Sequence, residues 1–363
     1  MTQTRHDARL AADEIRRQWG AASDRARMIP MRLKTLNLRK SAALMAAVLG
    51  GALALAVSPA EARSALQIIH SFAGGSSDGA GPFGGVTPAE GSDGCGTAYQ
   101  YFPVSGAYQQ LAAFHCDPDA AFPFAGLAAS SFYGVLFGIS YNGGSGDDGE
   151  LFDIYPDGSV RNDCSIGQNI GNHPFAAVTL VGDGVYIQTT TGGAHNVGTL
   201  SLLEPSCNGE VLHDFAGGDD GAAPYGTLVQ YGDYLYGTTS SGGTGTNLGT
   251  VFRVGLEGGG YQVMHVFQGI CCGSDGSFPH AGLAFNKKDG MLYGTTINGG
   301  NSSDNGTVYK IDPNTGAETV VYSFSGGDGA HPYGDLYIKG SWIYGTTLQG
   351  GANDLGEVFK LKM

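Results

Sequence analysis

The feature that most constrains this chain is a sentence it repeats. Residues 292–311 read LYGTTINGGNSSDNGTVYKI, residues 235–254 read LYGTTSSGGTGTNLGTVFRV, and IYGTTLQGGANDLGEVFKL begins at Ile343. Looser copies occur around YNGGSGDDGELF and TTGGAHNVGTL. Aligned on the second glycine of each pair, the copies fall at 144, 193, 243, 300 and 351. A damaged sixth copy, GSDGCGTAYQY, comes earlier. A period of about 50 residues with several short apolar runs per unit is the signature of a propeller blade. In the copy at 224–267 the runs GTLVQ, YLYGTT, GTVFRV and YQVMHVF predict four strands, A to D. Short turns join A to B and C to D. The Gly-rich stretch joins B to C, and a Pro-containing stretch (DDGAAPY, SDGSFPH, GDGAHPY) joins D to the next A. High Gly with Val, Thr, Tyr and Phe suits short strands and tight turns.

The ends of this pattern are complementary. GEVFKLKM is a C strand followed by no D strand, and SALQIIHSF, near residue 64, is a D strand preceded by no C strand. The expected fold is therefore all-β: a six-bladed β-propeller of four-stranded blades, closed by the N-terminal strand completing the last blade. Closure removes the unpaired edges of an open sheet. The paired glycines are read as loop residues with positive φ, and Gly294 of YGTT as a point where backbones approach closely near a crowded axis. No helix follows the Gly-rich loops, so they lack the setting of a phosphate-binding loop.

Residues 1–62 stand outside the repeat. Arg39 and Lys40 precede an apolar run from Ala42 to Val57, and Ala60 and Ala62 follow in an A-x-A arrangement. This is the pattern of a secretory signal cleaved after Ala62, with Met31 as an alternative start. The domain reading is thus 1–62, an N-terminal extension and signal peptide, and 63–363, one propeller. Without the ten basic and five acidic residues of positions 1–62, nine basic and 28 acidic remain, a net charge of about −19. Such a surface disfavours nucleic acid. The expected protein is secreted or periplasmic, without a membrane span in its mature chain, and monomeric.

The LYGTT-x2-GG-x(4–6)-G-T-V-F/Y unit resembles the GloVer-type tandem repeat of bacterial extracellular choice-of-anchor proteins. The likeness is tight at 235–254, 292–311 and 343–361 and loose at 136–154 and 185–203. It implies export and a propeller-like fold, and it supplies no catalytic residues.

Two rings of residues are expected on the face shared by the D–A and B–C joins, where propellers place variable loops. The acids Asp78, Asp119, Asp220, Asp275 and Asp328 each stand four residues before a Pro, with Ile170 in the remaining copy. A carboxylate ring suits a cation such as calcium, but the local spacing reads better as turn capping, so no metal site is assigned. The residue after each Pro is Phe83, Phe124, Phe175, Tyr225, His280 or Tyr333. It is taken to begin strand A, and it either packs blades together or stacks on sugars. Tyr225, His280 and Tyr333, with Asn247, Asn298, Asn301 and Asn353 of the B–C loops, form the candidate ligand surface. His70, His213 and His265 share one position in different D strands and are not expected to converge on a metal. Asp147–Asp148 and Asp219–Asp220 are the acid pairs nearest to acid/base chemistry, and no nucleophile or zinc-protease motif accompanies them.

The six cysteines include no zinc spacing. Cys95 and Cys116, flanking a hairpin in the damaged unit, predict a disulfide. Cys271 and Cys272 allow a vicinal bridge; Cys164 and Cys207, at opposite ends of their blades in this reading, are not paired with each other, and their pairing stays open. The leading reading is a secreted module binding a glycan or protein ligand. The alternatives are an extracellular polysaccharide hydrolase or lyase, for which the 267–281 insertion is the best irregularity, and a structural matrix protein.

Overall fold

The computed structural model describes residues 66–71, 97–102, 107–114, 120–167, 170–203, 209–271 and 275–363. Ala65–Met363 form one compact unit. The signal sequence, Asp78, Phe83, Cys95, Cys116, Asp119, Cys207 and Cys272 lie outside the described residues, and with them the expected Cys95–Cys116 bridge. Helix among the described residues is limited to single 3-10 turns at Gly218–Asp220 and Gly269–Cys271.

Four times in succession the chain lays down an antiparallel sheet in the order A-B-C-D. The first comprises Ala128–Ala129, Leu136–Ser140, Glu150–Ile154 and Val160–Ser165. The second comprises Thr179–Val181, Gly184–Thr189, Thr199–Leu203 and Gly209–Asp214. The third comprises Val229–Tyr231, Tyr234–Thr239, Thr250–Gly255 and Gln262–Val266. The fourth comprises Ala284–Asn286, Met291–Thr296, Thr307–Ile311 and Glu318–Ser323. Ahead of them, Thr97–Phe102 and Ala107–Ala113 form the C–D hairpin of the damaged unit. The final sheet pairs Tyr337–Lys339, Trp342–Gln349 and Glu357–Lys362. Its outer strand is Leu66–Ser71, in the register Leu66↔Leu361 to Ser71↔Glu357. The first described strand and the last are therefore neighbours.

Strand B is buried on both faces, as in Tyr234–Thr239, where every residue after Tyr234 is buried. Strand D is only partly covered, as in Gln262–Val266; it is the last strand of its sheet and has solvent beside it. The apolar residues of facing strands meet between consecutive sheets. Tyr186, Leu200 and Phe215 of the second sheet and its exit join Leu235, Phe252 and Val254 of the third. Tyr236, Val251 and Phe267 join Leu292, Tyr309 and Ile311 of the fourth. Phe215, Phe252, Phe267, Phe324 and Phe359 are fully enclosed, each worth roughly 1.5–3 kcal/mol of burial.

The glycine of YGTT has a different task from the one expected. A Cβ on Gly294 would sit 2.5 Å from the Tyr309 hydroxyl, one on Gly237 2.6 Å from Phe252 Cζ, and one on Gly345 2.6 Å from Phe359 Cζ. These glycines lie directly across from those rings in register. The glycine is a slot for the aromatic side chain of strand C, not a point of backbone approach. The second sheet carries Ile187 opposite Ser201 at the same register: bulk has moved from strand C to strand B. Beside the slot, cross-strand threonines bond to each other at 2.7–2.9 Å: Thr189 with Thr199, Thr239 with Thr250, and Thr296 with Thr307.

Candidate functional site: the aromatic mouth and the inter-sheet seams

The D–A and B–C joins do lie together. Ala121 bridges Asn142, Asn172 bridges Thr191, and Ala222 bridges Ser241. The residue before each Pro then takes up positive φ, between 52° and 57°, at Phe122, His173, Ala223, Phe278 and His331. Non-glycine residues reach that region at a cost of roughly 1–3 kcal/mol. Hydrogen bonds across the seam offset it. Ala223 N–H donates to Val197 O of the preceding B–C loop, and Ala223 O accepts from Ser240 N–H. Phe278 and His331 do the same with Leu248 and Asn305 on one side; on the other, Phe278 O accepts from Ile297 N–H. The Pro behind them lies against a loop glycine: a Cβ on Gly198 would meet Pro224 Cδ at 2.8 Å, and one on Gly249 would meet Pro279 Cδ at 2.6 Å. Much of the repeat's Gly and Pro is thus explained by one unit docking on the next.

This geometry sets the aromatic positions four residues ahead of strand A, which starts at Val229, Ala284 and Tyr337. The expectation that Tyr225, His280 and Tyr333 begin that strand is corrected: they lie in the lead-in, where the chain is still bonded across the seam. There the rings touch in an unbroken series. Phe124 stacks on Phe175 at 5.1 Å, Phe175 meets Tyr225 edge-on at 5.4 Å, Tyr225 stacks on His280 at 4.2 Å, and His280 lies 4.7 Å from Tyr333. All five are partly exposed. Burial lowers the His280 pKa to about 4, so the ring is neutral at pH 7, and its Nδ1 is buried without a hydrogen-bond partner. Burial raises the pKa of Tyr225, with Tyr141 adding to it. The same holds for Tyr333, with Tyr225 as the second cause. Two positions after Tyr333, Asp335 keeps accessible surface yet is ringed by protein, which raises its pKa, and it accepts from Gly282 N–H at 2.6 Å.

The loop amides are engaged locally. Asn247 Oδ1 accepts from Gly242 N–H at 2.8 Å, Asn298 Nδ2 donates to Asp304 Oδ2 at 3.1 Å, and Asn301 Nδ2 donates to Phe324 O at 3.0 Å. Asn353 is exposed in its loop. Asn247 belongs to a set that sequence reading did not collect: Asp147, Asn196, Asn247, Asp304 and Asp354 all have positive φ. Each accepts from the first glycine of its pair, at 2.6–3.1 Å. The signal was there, an Asp or Asn four or five residues after that glycine. Asp147 is thereby a loop closer, and its pKa is held down chiefly by the Gly143 N–H.

The three described acids of the ring cap their turns as expected. Asp220 accepts from Ala216 N–H at 2.7 Å, Asp275 from Gln268 N–H at 2.8 Å, and Asp328 from Ser325 N–H at 2.8 Å. They also do something the sequence did not reveal. Each acid meets the D-strand residue two positions before the buried Phe: His213 Nε2 lies 3.0 Å from Asp220, His265 Nε2 lies 3.3 Å from Asp275, and Tyr322 donates to Asp328 at 2.6 Å. A residue at the start of the next unit's outer strand, or just ahead of it, completes a trio. Tyr261 stacks flat on His213, with centroids 3.5 Å apart, and its hydroxyl donates to Asp220 O. In the next seam the same register holds Glu318, across from Ile311 as Leu66 is from Leu361. The ligand atoms of His265, Asp275 and Glu318 lie within 4.8 Å of one another.

Register places Cys164 in the same seam position, since Leu151↔Cys164 matches Leu200↔His213 and Val251↔His265. Cys164, whose pairing the sequence leaves open, is disulfide-bonded; its partner is not among the described side chains. Cys164 and Leu203 share the wall of one small cavity.

The model of the Gloeobacter/Verrucomicrobia repeat family matches residues 163–359. No curated protein matches the chain. Among solved structures, an oligogalacturonate lyase in complex with manganese aligns with a TM-score of 0.48 at 13% identity, over 74% of this chain and 71% of the other. TolB from Acinetobacter baumannii aligns with a TM-score of 0.44 at 12% identity, over 74% and 59%. A chain of the nidogen/laminin complex gives 0.41 at 12%, over 66% and 76%. Among the described residues, no helix is long and apolar enough to cross a membrane.

Proposed function

The chain belongs to the Gloeobacter/Verrucomicrobia repeat family, and from that premise we propose that it is an exported, six-bladed propeller whose aromatic mouth binds a glycan. The five consecutive sheets and the Thr97–Ala113 hairpin supply six units. Pairing of Leu66–Ser71 with Glu357–Lys362 supports closure of the ring. The export reading rests on the basic, apolar and A-x-A segments of residues 39–62.

One observation carries the binding reading: the unbroken run of partly exposed rings from Phe124 to Tyr333, ending in two phenols around a neutral imidazole. An apolar stripe with polar tips suits the C–H faces and hydroxyls of a pyranose. Asp335, exposed beside it, adds an acceptor. With Asn247, Asn298 and Asn301 holding their loops, aromatic faces provide the affinity and amides only the rim.

The test is a glycan array with Tyr225→Ala and Tyr333→Ala beside the parent. Loss of a parent signal with an unchanged melting temperature supports the mouth as a binding surface. Loss of roughly 3–5 kcal/mol of stability without any parent signal supports a structural matrix role instead. Release of sugar from a polymer points to the hydrolase or lyase.

A further inference from the structure

The three described seams with an Asp share one plan and differ in chemistry. At the 213–220–261 seam, stacking and hydrogen bonds satisfy the trio, and the strand-C ring beside it is Phe252, which stacks on Tyr261 at 5.6 Å. At the last seam, Tyr322 donates to Asp328, Leu66 fills the third position, and the ring is Phe359. The middle seam breaks this pattern twice. Its third position is the carboxylate Glu318, and its ring is Tyr309.

Neither change is satisfied by the protein. Glu318 Oε1 is buried without a hydrogen-bond partner. Tyr309 is fully buried, its hydroxyl also lacks a partner, and it lies in the field of Glu318 and Asp275. Two carboxylates gathered with one imidazole, beside an orphaned phenol, form a pocket rich in acceptor atoms. A half-buried seam tolerates that poorly unless a cation enters.

We propose that His265, Asp275 and Glu318 bind one divalent transition-metal ion of the zinc class, which ties the third sheet to the fourth. The donor set decides the class. One imidazole nitrogen with two carboxylate oxygens suits Zn²⁺ and its neighbours, whereas Ca²⁺ prefers six to eight oxygens. Water completes the coordination, and the Tyr309 hydroxyl is placed to bond it. The ion joins chain segments from two units, since His265 and Asp275 belong to one and Glu318 opens the outer strand of the next. The histidines sit in different units, as the sequence predicts, but each seam needs only one of them. The 267–281 insertion lies in this seam and delivers Asp275.

The test titrates ZnCl₂ into the EDTA-stripped full exported chain by calorimetry, with CaCl₂ in parallel, and follows melting with and without Zn²⁺. The expected result is one tight Zn²⁺ per chain, an upward shift in melting temperature reversed by EDTA, and weak or no response to Ca²⁺. Glu318→Tyr, which copies the sister seam and so preserves packing, should abolish the stoichiometric heat, as should His265→Asn. His213→Asn, at the sister seam, should leave it unchanged. Absence of stoichiometric binding to the parent, undiminished binding in Glu318→Tyr, or preference for Ca²⁺ overturns the proposal.

Discussion

Exchanging the bulk of one glycine–aromatic pair tests whether that pairing, rather than glycine as such, specifies the blade. In the third sheet Gly237 faces Phe252; in the second the same register holds Ile187 and Ser201. Gly237→Ile alone forces a branched side chain where Cβ already meets Phe252 Cζ at 2.6 Å and Leu228 at 2.9 Å, an overpacking that costs about 1–3 kcal/mol. Phe252→Ala alone empties a fully enclosed ring site that packs on Phe215 at 5.2 Å, at about 3–5 kcal/mol. Alanine is chosen so that no hydroxyl is buried unpaired. Simple addition gives about 4–8 kcal/mol. If isoleucine fills the vacated space, as in the second sheet, the double variant should cost less than about 3 kcal/mol, a coupling at the upper end of that seen for residues in contact. Urea denaturation followed by circular dichroism reads all four corners of the cycle. Additivity within about 0.5 kcal/mol would refute the reasoning and return the glycine to a backbone role.

Three further outcomes are expected. His280 has a folded pKa of about 4 against an unfolded value of 6.5, so its contribution is complete above pH 6.5 and is lost as pH falls toward 4. The loss is at most about 3 kcal/mol. His280→Phe, between Tyr225 and Tyr333, should lose less stability than the parent between pH 7 and 4, and parallel melting curves would contradict this. Non-reducing peptide mapping should link Cys164 to Cys207, because Cys164 occupies the seam position that faces the start of the next outer strand, here Gly209, across from Leu203. Closing that loop is worth about 4 kcal/mol, and a Cys164 peptide joined elsewhere would refute the assignment; the same map reports on Cys95 and Cys116. Removal of residues 66–71 should lower the melting temperature sharply by stripping the outer strand from Glu357–Lys362, and an unchanged melt would show that this pairing contributes little.

The strand order was legible because a repeated sentence fixes its own punctuation. YLYGTT and GTVFRV fall where strands B and C are found, one residue off at the C strand's edges. The pairing of Leu66–Ser71 with Glu357–Lys362 was legible because the first unit and the last lack complementary parts. What escaped were relations between units. His213 and Asp220 were both noticed, but nothing local says that one meets the other and that Tyr261, from the following unit, covers both. His213 and Asp220 are only seven residues apart, but Tyr261 lies 41 residues beyond Asp220, and each sequence window taken alone looks like a solvated turn. The aromatic run was seen as six equivalent residues; that the rings touch depends on the lead-in bend at Ala223 and Phe278, which propensity does not encode.

The pairing of Leu66–Ser71 with Glu357–Lys362 also imposes an order in time. A chain that emerges from its N-terminus displays the earliest of these strands long before the other exists, so the sheet that joins them completes last and waits on the most distant contact in the fold. Until then Leu66–Ser71 is unpaired and Glu357–Lys362, held by Trp342–Gln349, has one open edge, a state prone to the wrong partner. The pairing then acts as a latch: loss of either strand opens the same sheet, and damage to one is felt at the other.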